Sequence, residues 1–242
     1  MDKRQFPMQI KGVLFDKDGT LFDFHRTWIP ILESAALTAA RGDVSLVPGL
    51  MAAGGYDPAT GRVASGSVIA AGNTPELALL WLQSLPHWEA ADLTMRLDEI
   101  FASEAPHRSE PVTDLVAFLT ALRGDGFRVG IATNDSAASA LATIGQFGLS
   151  GLVEFYCGYD SGYGTKPAPG MVHAFCDAVD LEPADVAVVG DNFHDLEMGM
   201  AAGAGLRVGV LTGTSAHEDL APHADLVIGS IVELPALLAG LR

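Results

Sequence analysis

A mostly apolar run, Ile10 to Phe15 (IKGVLF), closes on Asp16, Lys17 and Asp18, followed by Gly19 and Thr20. Carboxylates this close repel one another, and a chain gains no stability by crowding them. A short β-rich run that stops on charges reads as a strand whose carboxyl end faces a polar site. In an open parallel sheet, ligands bind outside the carboxyl ends of the strands.

The same pattern recurs down the chain. Strand candidates are Phe127 to Ala132, ending at Thr133; Leu152 to Tyr156; Val186 to Val189, ending at Gly190–Asp191; Leu206 to Val210; and Leu226 to Ile228. Between them lie helical patterns: Thr113 to Arg123 with Gly124 as its stop, Pro169 to Val179, and His194 to Ala202. Short β-rich runs alternating with helices predict an α/β fold, a Rossmann-like doubly wound parallel sheet. Residues 22 to 107 differ. They are rich in alanine and leucine, with helical stretches such as Pro75 to Leu85, and Gly54 to Gly72 reads as a glycine-punctuated loop. The organisation this predicts is a core of residues 1–21 and 108–242, with a mostly helical insertion, 22–107, after the first strand.

The composition removes several classes of function. The net charge of −16 repels nucleic acid and anionic membranes. No apolar run reaches spanning length, and no signal peptide is evident. The two cysteines, Cys157 and Cys176, make a poor disulfide framework and read as small buried hydrophobes. A cytoplasmic protein, monomeric or homodimeric, is the expectation.

The predicted strand ends collect a distinctive set of groups: Asp16 and Asp18, then Thr133, Asn134 and Asp135, then Lys166, then Asp191 and Asp195. Clustered carboxylates call for a hard divalent cation, and Mg²⁺ suits oxygen ligands. A lysine and a threonine beside backbone N–H groups suit a phosphate. One aspartate can act as nucleophile, and a second can carry protons for the leaving oxygen and for water. Together these describe phosphoryl transfer.

Four segments, DKDGT, IATND, GTKPAPG and VGDNFHDLEMGMAAG, resemble in order the motifs of the haloacid dehalogenase-like hydrolase superfamily, in its phosphoglycolate phosphatase-like branch. The resemblance covers about residues 8–21 and 108–235. It implies Asp16 as nucleophile, Asp18 as acid/base, and Thr133, the backbone near Asn134, and Lys166 on the phosphate. Metal ligands would be Asp16, the backbone carbonyl of Asp18, and Asp191, with Gly19, Thr20, Gly190, Asn192 and Asp195 in support. More than a hundred positions separate Asp16 from Thr133, and about one βα unit separates Thr133 from Lys166. The resemblance reads that placement as a helical cap of the C1 type closing over the site. Family dehalogenases lack an aspartate at the position of Asp18, so phosphate ester chemistry is favoured over carbon–halogen cleavage.

The function implied is a Mg²⁺-dependent phosphatase of small phosphorylated metabolites, with phosphoglycolate the first substrate to test. A sugar-phosphate mutase with the same cap is the alternative, and a non-catalytic phosphate-binding protein a more distant one. Lys17 departs from the branch, where many relatives carry an apolar residue. It reads either as a charge balancing an acidic rim or as a group facing the cap and an anionic substrate. His25 and Arg62 are the other substrate candidates. Trp28, Trp81 and Trp88 read as cap core.

Overall fold

A computed structural model describes residues 9–240. In chain order the elements are β1 (Gly12–Phe15), α1 (Phe24–Ala39), α2 (Val47–Ala53), β2 (Tyr56–Asp57), β3 (Arg62–Val63), α3 (Val68–Ala71), α4 (Thr74–Leu82), α5 (Ala90–Arg108) and α6 (Leu115–Gly124). There follow β4 (Arg128–Ala132), α7 (Ala137–Gln146), β5 (Phe155–Cys157), α8 (Gly170–Val179), β6 (Val186–Gly190), α9 (Phe193–Ala202), β7 (Leu206–Val210), α10 (His217–Leu220), β8 (Leu226–Ile228) and α11 (Leu234–Ala239).

Six strands form one parallel sheet in the order β5-β4-β1-β6-β7-β8. The chain runs outward from β1 through β4 to β5, then returns to the other side of β1 with β6. This reversal is a topological switch point, where a crevice opens at the carboxyl ends. β1 is buried along its whole length. Side chains alternate in a strand, so Val13 and Phe15 join one apolar cluster with Leu115, Leu119 and Leu234, while Leu14 joins another with Phe175, Cys176 and Met198. Helices thus cover both faces, as a parallel sheet requires.

Residues 24–105 contribute a third cluster around Trp81, which is fully buried and donates its indole N–H to the Leu50 carbonyl at 2.9 Å. Trp88 packs against the same cluster and donates to the Ala39 carbonyl at 2.8 Å. Both therefore serve the helical layer. We treat the 21/22 and 107/108 boundaries as a proposal that fits this separate packing.

Three local expectations change. The stretch from Gly54 to Gly72 is more than a loop: β2 and β3 pair antiparallel and α3 follows, with Ser67 capping it through Ala70 N. The strand after α7 starts at Phe155 rather than Leu152, because Leu152 and Val153 both donate back to the Leu149 carbonyl and form a turn. Gly124 lies inside α6 rather than ending it. The left-handed residue past the helix is Gly126, at φ +91°, a conformation that glycine adopts without the strain it imposes on other residues.

Truncating the centre of the helical layer tests its packing. Trp81→Ala removes a fully buried indole and strands the Leu50 carbonyl. It is expected to cost about 3–5 kcal/mol, read from the shift in chemical-denaturation midpoint at unchanged slope.

Candidate active site

β1 delivers Asp16 and then turns at once. Leu21 N donates to the Lys17 carbonyl and Gly19 N to the Phe22 carbonyl, folding residues 17–22 into a compact loop. Gly19 sits at φ +88°, and a Cβ there would come within 2.5 Å of the Asp191 carboxyl carbon. Glycine is thus required twice over, by backbone conformation and by the approach of Asp191 from β6. The Thr20 hydroxyl is buried and finds no partner among the described residues.

Two buried ammonium groups organise the carboxylates. Lys166 Nζ lies 2.5 Å from Asp16 Oδ1 and 2.6 Å from Asp195 Oδ1. Lys17 Nζ lies 2.7 Å from Asp18 Oδ2 and 3.0 Å from Asp135 Oδ2, and 5.5 Å from the centre of the Trp28 ring. Lys17 is fully buried, and its contacts are ion pairs lacking good hydrogen-bond angles. This corrects the sequence expectation. Lys17 is neither a rim charge nor a group open to substrate, because both neighbouring carboxylates occupy it. Asp135, which sequence reasoning placed at a strand end without a role, is its second partner.

Burial would lower the pKa of both lysines, but the paired carboxylates outweigh it and push them above the ordinary range. The carboxyls respond in the opposite sense. Burial raises Asp16 to about 6 against the pull of Lys166, and raises Asp18 to about 6 against the pull of Lys17. Asp191 stands well above its usual value through burial, with Asp16 and Asp195 adding repulsion. The charge-stabilising partners therefore only partly offset desolvation.

The remaining residues brace this centre. Thr133 is buried, and its hydroxyl accepts from Asp135 N at 3.0 Å. Asn134 accepts from Lys166 N at 3.0 Å and donates to the Ala71 carbonyl of α3 at 2.8 Å, so its side chain ties the helical layer to the sheet. Asn192 caps α9, with Asp195 Oδ2 returning to Asn192 N at 3.1 Å. A Cβ on Gly190 would collide with Asp195. Asn192, expected near a metal or its water, spends its side chain on His194 N and Thr214.

Other expectations fall away from the centre. Arg62 is exposed on the β2–β3 hairpin, and His25 accepts through Nε2 from Val63 N at 3.3 Å. Neither lines the central cavity. Sequence reasoning also passed over Leu211 to Ser215 (LTGTS), which follows β7. Thr214 N donates to Asp191 Oδ2 at 2.8 Å, Thr212 donates to the Gly19 carbonyl at 2.6 Å, and Gly213 leaves room for the Asp191 carboxyl. The available signal was a small polar run at another strand's carboxyl end.

Carboxylate oxygens of Asp16, Asp191 and Asp195 all lie within 4.8 Å of one another and are buried. Hard oxygen donors, crowded and desolvated, fit a divalent cation that would relieve their repulsion. Asp16 and Asp191 of the expected ligands are in this set, and Asp195, expected only in support, joins them by position, while the Asp18 carboxylate is turned to Lys17.

The sequence model of the haloacid dehalogenase-like hydrolases matches residues 10–203. The chain belongs to this family. Among curated relatives, it is 29% identical over 233 residues to the plasmid phosphoglycolate phosphatase of Cupriavidus necator, covering 96% of this chain and 94% of that one. It is 28% identical over 237 residues to the N-acetylmuramic acid 6-phosphate phosphatase of Pseudomonas putida, covering 94% and 95%. Its fold is similar to that of CbbY from Rhodobacter sphaeroides, solved in complex with phosphate, at a TM-score of 0.68 and 19% identity over 93% of this chain and 96% of that one. A hydrolase from Pseudomonas syringae gives 0.68 at 21% identity over 96% and 99%. No helix among the described residues of this family member is long and apolar enough to cross a membrane.

The buried Lys17 can be tested apart from chemistry. Lys17→Met leaves Asp18 and Asp135 facing each other uncompensated and is expected to destabilise by about 3–5 kcal/mol. Adding Asp135→Asn should restore part of that in denaturation melts, whereas a lysine that only met substrate would leave the melt unchanged.

Proposed function

We propose that the chain is a Mg²⁺-dependent phosphatase that hydrolyses small phosphate monoesters through a phosphorylated Asp16. The observation that carries this reading is the pairing of two carboxylates with different environments in one cavity. Asp16 is held by Lys166, while Asp18 keeps Oδ1 without any hydrogen-bond partner among the described residues. One carboxylate is positioned and the other is left free to exchange a proton.

Asp16 attacks phosphorus, and the bond from phosphorus to the leaving oxygen breaks. Asp18, protonated through Oδ1, gives its proton to that oxygen, releasing the alcohol. Water then gives a proton to Asp18 and attacks phosphorus, freeing Asp16 and inorganic phosphate. A carboxyl raised to about 6 is suited to this double role, because it holds and releases a proton near neutrality. Lys166 aims Asp16 and offsets charge on the transferring group, with Thr133 beside it. Mg²⁺ held by Asp16 and Asp191 would neutralise the phosphate charge and polarise the bond under attack. The relatives' names support phosphate monoesters, and phosphoglycolate is the first substrate they suggest.

Asp16→Asn keeps the size and the approach of Lys166 but removes the nucleophile. Phosphate release from a monophosphate panel should fall by at least about a thousandfold, the scale seen when a covalent nucleophile is lost. Full activity in that variant would sink the proposal. Saturating Mg²⁺ should raise the melting temperature by roughly 5–10 °C, from about 2.7 kcal/mol of binding linkage at a hundredfold excess over Kd. Asp191→Asn should abolish most of that rise.

A further inference from the structure

The cavity above Asp16 has two unlike walls. The sheet side presents Asp16, Asp18, Asp135, Asp191, Asp195 and Lys166. The helical side presents Phe24, Trp28, Leu32, Ile69, Leu77 and Phe101, with neutral Asn73 and Thr74. The space open to water-sized groups is about 90 Å³, several times the minimum that holds one water, so the cavity admits a phosphoryl group with an organic group against the helical wall.

Within this cavity no lysine or arginine of the protein is left for a second anion. Lys166 is taken by Asp16 and Asp195, and Lys17, behind the wall, by Asp18 and Asp135. The helical layer has four arginines between residues 22 and 107 and no lysine, and none of the four lines the cavity. Arg26 pairs with Glu110, Arg96 with Glu99, Arg41 lies by Trp88, and Arg62 is exposed. His194 also lines the cavity, and its Nδ1 is buried with no hydrogen-bond partner among the described residues. With Asp18 entering protonated, the four other carboxylates already balance the two ammonium groups and a divalent cation, so the protein holds no surplus positive charge to offset a phosphate dianion together with a second anion. A carboxylate on the leaving group would then be buried against aromatic and aliphatic side chains without a partner. Neutral side chains line this wall instead: Asn73 and Thr74 face the cavity, and the buried Trp28 indole N–H has no partner among the described residues.

We propose that this site takes phosphate monoesters of small, uncharged, largely apolar alcohols and discriminates against alcohols that carry a second anion, phosphoglycolate among them. The proposal rests on the phosphatase reading above and narrows its substrate class. It departs from the relatives' names because the leaving group meets the helical wall of this chain.

The test compares 2-phosphoglycolate with its methyl ester, which differs by one charge while keeping the reacting bond, and includes n-butyl phosphate as an apolar reference. Phosphate release is measured with the full chain and Mg²⁺. The methyl ester should exceed phosphoglycolate in kcat/KM by about 100-fold or more, the scale set by about 2.7 kcal/mol. Ala71, half-buried on the cavity wall, offers the converse change: Ala71→Lys should narrow that ratio by at least about tenfold by giving the carboxylate a partner. Equal or better turnover of phosphoglycolate by the unaltered chain overturns the proposal and leaves the phosphatase reading standing. If none of the three compounds releases phosphate, both readings fall.

Discussion

The structure depends on burying five carboxylates where the two halves of a parallel sheet diverge. Such a cluster is unstable by itself, since desolvation and mutual repulsion both oppose ionisation. Two lysines make it tolerable by dividing the work. Lys166 binds Asp16 and Asp195 at the front, and Lys17 binds Asp18 and Asp135 behind. Adjacent carboxylates on one strand end thereby come under separate cations. Asp16 is held by Lys166, whereas Asp18 is held by Lys17 at one oxygen and has no hydrogen-bond partner among the described residues at the other.

This arrangement explains the glycines around it. Gly19, Gly190 and Gly213 each stand where a side chain would strike Asp191 or Asp195. Close approach of carboxylates needs backbone without Cβ atoms between them, so the motif glycines are steric conditions on the charge cluster. The helical layer is joined to the same centre through Asn134, which holds both Lys166 N and the Ala71 carbonyl. This contact ties the helical layer to the backbone of the lysine that pairs with Asp16.

Much of this was legible in the sequence, for a physical reason. Parallel strands are short, apolar and continuous, and their polar ends stand out, so Asp16, Thr133 and Asp191 could be placed at one edge before any coordinates. What could not be read was direction and partnership. Lys17 read either as a rim charge or as a group facing the cap, because a strand end alone does not show which way the next side chain turns. The loop that begins at Asp16 instead turns its side chain inward to a partner more than a hundred residues away. Thr212 and Thr214 were hidden because hydroxyls in a small polar run carry no sequence signal until an aspartate approaches them. The apolar wall was visible only as helix core, since Trp28 and Phe101 belong to the packed cluster and line the cavity together.

The central claim is that Asp16 becomes covalently phosphorylated and Asp18 does not. Acid quenching within the first turnover, borohydride reduction of any acyl phosphate, and peptide mass mapping would decide it. The account predicts homoserine at position 16, formed only when a phosphate monoester and Mg²⁺ are both supplied. Reduction at another carboxylate, or sustained turnover with position 16 unmodified in the quenched samples, would contradict it.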